Sequence, residues 1–207
     1  SADRQIVLAG AGINLERYKM QPYPKHTRIH FLYLGRIMKE KGIDELFYAV
    51  RHLKKENENF VLDLVGFFED EYKEQVKELE KHSIAHFYGF QSDPRPFYIE
   101  ADCVVLPSYH EGMSNVLLEA AATGRPVVTS NIPGCRESVE NGKSGLLVEV
   151  KNKEMLYDAM KEMLHCSREE REQMGQAGRE KMEREFRKEV VVEKTVQSLR
   201  GDEKRDF

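Results

Sequence analysis

Apolar positions along the chain take two forms: short, nearly continuous runs, and longer stretches in which apolar residues recur every three or four positions. Residues 29–35 read IHFLYLG, a run of strand length closed by glycine, and Ile43, Leu46, Phe47, Val50 and Leu53 follow at helical spacing. The pairing then repeats. FVLDLVG over 60–66 predicts a second strand, residues 69–81 a charged helix with Tyr72, Val76 and Leu79 on one face, and IAHFYG over 84–89 a third strand. A short helical turn over 96–100, a strand over 102–106, a helix over 115–123 and a strand over 126–129 continue the series. Residues 134–140 predict a further short helix, and GLLV over 145–148 a last strand.

Strands that lack polar alternation are buried on both faces, and amphipathic helices between them supply the cover. The expected fold is therefore α/β, a Rossmann-like parallel sheet with helices on both faces. Beyond Lys151, Met155, Leu156, Ala159, Met160, Met163 and Leu164 mark one more helix. From Arg168 to about Leu199 mixed charge is dense and apolar positions are sparse, which predicts long surface helices. Residues 151–207 carry fourteen Lys plus Arg and fourteen Asp plus Glu, so this tail reads as an ion-paired, solvated face and not as an interaction tail of one sign. The organisation is thus a leading segment over 1–27, a Rossmann-like domain over 28–165 and C-terminal helices over 166–207.

Composition narrows the function. With 32 basic and 36 acidic side chains among 207 residues, the formal charge is only -4, which argues against a general nucleic-acid binder. No run approaches the eighteen or more apolar residues of a membrane helix. Three widely spaced cysteines, Cys103, Cys135 and Cys166, contain no CxxC pair and fit a reducing, cytosolic setting. The chain starts at Ser1 without a signal-peptide pattern, which suggests a piece cut from something longer.

Three motif matches fail. Ala9-Gly10-Ala11-Gly12 begins like a dinucleotide fingerprint, but Leu15 stands where the third glycine belongs. Gly142-Lys143-Ser144 imitates the end of a P-loop, yet Glu137 takes the place of its first glycine. The seven histidines include no HExxH, and His26 and His30 are four apart across a loop-to-strand junction, so no metal site is expected.

SYHEGMSNVLLEAAATG over 108–124 is different, because it leaves the carboxyl end of a buried strand, where open α/β sheets bind ligands. Gly112 allows a sharp turn, and a helix starting near Met113 or Ser114 points amide groups and a partial positive charge at any anion. Glu111 and Glu119 bracket this turn, roughly 12 Å apart if the rise is helical throughout, which suits two ends of one extended ligand. At the neighbouring strand end, Gly35-Arg36 and Lys41-Gly42 supply two cations able to neutralise a diphosphate. A diphosphate flanked by hydroxyl-bearing groups describes a nucleotide-sugar, and carboxylates are natural acceptors for its hydroxyls.

LGR-x4-KG over 34–42, EGMSNVLLEAAATGRPVV over 111–128 and IPGCRESVENGKSGLLV over 132–148 together resemble the donor-binding domain of family 4 glycosyltransferases, retaining enzymes of the GT-B fold. The resemblance covers nearly the whole chain, and GAGINLERY near its start looks like the family's interdomain segment. It implies that Arg36 and Lys41 contact the donor diphosphate and stabilise the departing nucleotide, and that Glu111 binds donor-sugar hydroxyls beside the reacting carbon. It further implies that Glu119 holds the ribose, that Gly35, Gly112, Met113, Ser114, Asn115 and Val116 line the sugar and phosphate, and that Gly66 and the Gly89-Phe90 loop sit near the base. No metal or cofactor is expected, since cations and helix N-termini would do the electrostatic work.

Members of that family are about twice as long, with an N-terminal acceptor-binding domain that has no counterpart here, so the resemblance implies a donor-binding half that is inactive alone. It implies transfer of a hexose or N-acetylhexosamine, UDP-linked, to a glycan or lipid-linked acceptor in capsule or cell-surface polysaccharide synthesis, on the cytoplasmic side and peripheral to the membrane. A nucleotide-sugar epimerase of the same fold and a non-catalytic nucleotide-sugar binding module are the alternatives. The final helix of that architecture crosses back to the N-terminal domain, which would leave Val190, Val191 and Val196 exposed here.

Overall fold

The computed structural model describes residue 10 and residues 12–200; Ala9 and Ala11 of the failed fingerprint, the rest of the first nine residues and the last seven lie outside the described residues. Six parallel strands form one sheet: β1 (Ile29–Leu34), β2 (Phe60–Val65), β3 (Ala85–Gly89), β4 (Cys103–Leu106), β5 (Val127–Ser130) and β6 (Gly145–Val148), in the order β3-β2-β1-β4-β5-β6. The helices are α1 (Ile43–Lys55), α2 (Lys73–Lys81), α3 (Arg95–Glu100), α4 (Asn115–Thr123), α5 (Lys153–His165), α6 (Arg168–Lys181) and α7 (Lys188–Arg200). β2, β4 and β5 are buried at every position, as runs without alternation require, whereas the edge strand β3 alternates. This is the Rossmann-like α/β sheet expected. Strand order reverses between β1 and β4, so the two strand ends diverge there and leave a crevice.

Three local expectations change. α2 begins at Lys73, four residues later than the apolar spacing suggests, because the residues before it are committed elsewhere. The Ile37 amide donates to the Phe67 carbonyl at 2.8 Å and the Glu69 amide to the Ile37 carbonyl at 3.1 Å, which zips the β1–α1 and β2–α2 loops together. The short helix expected over 134–140 shrinks to one 3-10 turn, Arg136–Ser138. The C-terminal helices form but are not wholly at the surface: a π-helical turn, Met182–Phe186, separates α6 from α7, and α6 buries Arg171, Gly175, Gly178 and Lys181, with Gly175 against Gly124 and Gly178 against Ala121 of the α4 region. Val191, expected on an exposed face, is buried, while Val190 is half-buried and Val196 exposed.

The leading segment shares the sheet's core through Ile13 and Tyr18, and it is held by arginines. Fully buried Arg125 donates from Nε to the Tyr98 carbonyl at 2.8 Å and from Nη2 to those of Ile99 at 2.8 Å and Pro22 at 2.9 Å; Nη1 reaches Gly124 and Gln21. Arg168 and Arg179 of α6 bond the carbonyls of Tyr23, Pro24 and Tyr18 in the same way. His26 and His30, read as unfit for metal, instead bond carboxylates: His30 Nδ1 lies 2.7 Å from Asp63 and His26 Nδ1 3.1 Å from Asp102. The Asp63 bond pushes the His30 pKa up against the opposing effect of burial.

Candidate functional site

At the crevice between the carboxyl ends of β1 and β4 lies a cavity of about 260 Å³. Leu34, Gly35, Arg36 and Lys41 line it from one side, and Leu106, Glu111, Met113, Ser114, Asn115 and Val116 from the other. Two loops distant in sequence therefore meet, and Gly42 is the reason they can. With φ of 72° it sits in the left-handed region, and a Cβ there would lie 2.1 Å from the Pro107 carbonyl oxygen, so only glycine lets the start of α1 press against the exit of β4. The Tyr109 amide donates to the Glu40 carbonyl at 2.8 Å and completes the junction, while the Tyr109 hydroxyl bonds Glu45. His110, next in the chain, is exposed.

The junction brings Lys41 Nζ to 2.6 Å from Glu111 Oε1, with both side chains only 15% exposed. Ser108 Oγ donates to the same carboxylate oxygen at 2.8 Å. Arg36 lines the cavity as well, but its guanidinium bonds Glu69 at 3.0 Å in a more exposed pair. The two cations expected to act together are thus held by separate carboxylates.

α4 runs Asn115–Thr123, the range its apolar spacing predicts, with Ser114 rather than Met113 at the position before it. The Ser114 hydroxyl does not cap the helix, and no acidic residue stands in the first turn. Amides of Asn115, Val116 and Leu117 have no acceptor within the helix and point out of its positive end beside the cavity.

Gly112 has open space around it and no positive φ, so the glycine requirement assigned to it belongs to its neighbour Gly134. Gly134 has φ of 87°, and a Cβ there would stand 1.4 Å from the Gly112 carbonyl oxygen.

Glu119 does not line this cavity. Its carboxylate accepts the buried Tyr98 hydroxyl at 2.9 Å and bonds Tyr18, and burial raises its pKa above the ordinary carboxylate value. The Tyr18 hydroxyl is pushed up to about 12 by burial and by Glu119. Tyr18 also lines a second cavity, of about 410 Å³, with Arg17, Asp93 and Arg95. Gly66 and Phe90 lie outside both linings: Gly66 backs onto the Gly35 backbone, and Phe90, 70% exposed, meets Phe67 edge-on at 6.4 Å between centroids.

Sequence reading missed Ser108, Glu69 and Tyr98. Ser108 opens the motif that carries Glu111, a signal that was available; Glu69 and Tyr98 meet their partners only through tertiary packing.

The family model described as "Glycosyl transferases group 1" matches residues 16–181, a span that contains both sides of the cavity. The chain belongs to this family. Among curated group 1 relatives, the capsular polysaccharide biosynthesis glycosyltransferase CapM of Staphylococcus aureus is 28% identical over 193 residues, covering 88% of this chain and 50% of CapM. The chain spans about half the length of such relatives. A sucrose-phosphate synthase from Thermosynechococcus elongatus superposes with a TM-score of 0.77 at 26% identity, covering 92% of this chain and 51% of that one. Anabaena HepE, solved in complex with UDP, shares the fold with a TM-score of 0.77 at 19% identity, over 92% of this chain and 56% of that chain. Among the described residues no helix is long and apolar enough to cross a membrane.

Proposed function

We propose that this chain is the donor-binding domain of a retaining glycosyltransferase that moves a hexose or N-acetylhexosamine from a UDP-sugar to a glycan or lipid-linked saccharide. The observation that carries this reading is the cavity at the β1/β4 crevice, bounded by Lys41, Arg36, Glu111 and the first turn of α4. A diphosphate seated there meets Lys41 and the amides of Asn115 to Leu117, and Arg36 turns toward it from Glu69. As the bond between the sugar and the diphosphate breaks, negative charge grows on the departing oxygen. The amides at the start of α4 are already fixed there, and Lys41 and Arg36, once exchanged from their carboxylates onto the phosphates, add to that stabilisation, so no metal ion or cofactor is called for.

Glu111, released from Lys41 by the competing phosphate, accepts hydroxyls of the sugar beside its reacting carbon. Gly35, Gly112, Met113, Ser114, Asn115 and Val116 surround the sugar and phosphates; outside that cavity the nucleoside extends, as the family resemblance implies, to Glu119 with its ribose hydroxyls and to the Gly66 and Phe90 loops with its base. The UDP-bound state of HepE supports the choice of nucleotide. The role of CapM in capsule synthesis, together with the resemblance of the IPGCRESVENG segment to those of transferases that extend lipid-linked oligosaccharides, supports a polysaccharide or lipid-linked acceptor at the cytoplasmic membrane face. An acceptor-binding domain, which the family resemblance implies, completes the cleft.

Calorimetric titration of UDP, GDP and ADP into the chain tests the reading. UDP is expected to bind most tightly, and Lys41→Ala to weaken it at least tenfold; a chain that binds none of the three overturns the proposal. In a transfer assay with radiolabelled donor, efficient turnover by the chain alone would overturn the division of labour between two domains.

A further inference from the structure

Behind the turn that presents Glu111 to the cavity runs a chain of contacts that begins at Glu137, a residue of the 3-10 turn Arg136–Ser138. Glu137 Oε2 accepts the Gly134 amide at 2.8 Å. The Gly134 carbonyl in turn accepts the Ser114 amide at 2.9 Å. Gly134 lies flat against the 111–112 backbone, where a Cβ would stand 1.4 Å from the Gly112 oxygen and 2.7 Å from the Glu111 oxygen. The 3-10 turn that carries Glu137 is itself fixed: Cys135 and Ser138 are buried, and Ser138 Oγ donates to the Cys135 carbonyl at 2.6 Å.

We infer that Glu137 is a positioning residue for donor binding: by holding the Gly134 amide it fixes both the turn that aims Glu111 and the amide-presenting first turn of α4. The inference rests on the donor-site reading above. Physically, Gly134 is in the left-handed region, with one side pressed on backbone and no side chain of its own to anchor it. The Glu137 carboxylate supplies the anchor, and a hydrogen bond to a charged group is stronger than a neutral one. The Ser114 amide is thereby occupied, so the open donors of α4 start at Asn115, facing the cavity. Glu137 touches no proposed donor atom and acts only through Gly134.

The test is calorimetric titration of UDP into wild type, Glu137→Ala and Glu137→Gln, with amide exchange at Gly134 and Ser114 followed in each. Glu137→Ala is expected to weaken UDP about tenfold and to speed exchange at both amides, the size of one lost hydrogen bond to a charged acceptor. Glu137→Gln, whose amide oxygen accepts the same N–H, is expected to stay within about threefold of wild type on the same scale. Should Glu137→Ala fail to fold, Glu137→Asp replaces it, because the carboxylate one methylene shorter falls out of reach of Gly134; weakened binding there with Gln intact supports the inference. Wild-type affinity in Glu137→Ala or Glu137→Asp, or an equal loss in Gln, overturns it. Failure of wild type to bind UDP, GDP and ADP overturns the donor-site reading instead, and is separately visible.

Discussion

Lys41 and Glu111, seventy residues apart in sequence, are joined at 2.6 Å across the junction of two loops, and each is largely shielded from water. A half-buried pair of this kind is costly to break, because removing one partner leaves the other charge desolvated and uncompensated.

The first prediction follows from that asymmetry. Lys41→Ala is expected to destabilise the fold by about 3 kcal/mol. The double variant Lys41→Ala/Glu111→Ala is expected to recover part of the loss, because no lone carboxylate remains. Urea denaturation of the two singles and the double measures the coupling; strict additivity would show that the pair contributes nothing.

Arg36 and Glu69 predict the opposite effect on binding. Their pair is 48% and 36% exposed, so it is weak, yet the proposed diphosphate has to compete with Glu69 for the guanidinium. Glu69→Ala is expected to tighten UDP by about two- to fivefold at low salt, the range of an exposed ion pair. The gain should vanish in an Arg36→Ala background, which titration calorimetry at two salt concentrations would reveal.

Glu119 carries a pH prediction. Burial raises its carboxyl pKa, so the native state holds the proton more tightly than the unfolded chain. Stability from this group is complete below the unfolded carboxyl value near 4.5 and is lost as pH rises through the higher native value. Glu119→Gln is therefore expected to be more stable than wild type at pH 7, with the difference shrinking toward pH 4, while losing UDP affinity. Thermal melts across pH 4 to 7 check the sign, and a Gln variant less stable than wild type at pH 7 would refute it.

Arg125 is the strongest structural prediction. It is fully buried and bonds five carbonyls drawn from three segments, so truncation leaves several acceptors unsatisfied at once. Arg125→Ala is expected to cost about 3 kcal/mol or more, and Arg125→Lys to restore little of it, since an ammonium cannot reproduce the planar fork. Equilibrium unfolding monitored by circular dichroism reads both.

Much of this was visible in the chain itself. The strand runs and helical spacings place all six strands and the helices between them, because each is set by local burial. Gly35, Arg36, Lys41, Glu111, Met113, Ser114, Asn115 and Val116 share one lining, since motifs at strand ends converge wherever a parallel sheet reverses its order. The start of α2 was misread because apolar spacing does not reveal that the Ile37 and Glu69 amides are engaged between loops. Similarly, α6 looks solvent-borne in composition, yet it buries Arg171, whose Nη1 donates to the Met163 and Cys166 carbonyls, and Lys181, which pairs with Glu185.

What the sequence alone determined is the order of elements, the buried strands and the types of side chain brought to the crevice. Those depend on periodicity and on chemistry carried within short segments. The tertiary structure decided which charges pair: Lys41 with Glu111, Arg36 with Glu69, Glu119 with its tyrosines and Glu137 with Gly134. Partner choice depends on distances between segments far apart in the chain; at the Lys41–Glu111 junction and at the Glu137–Gly134 turn, Gly42 and Gly134 set them by admitting a backbone contact that any Cβ would block.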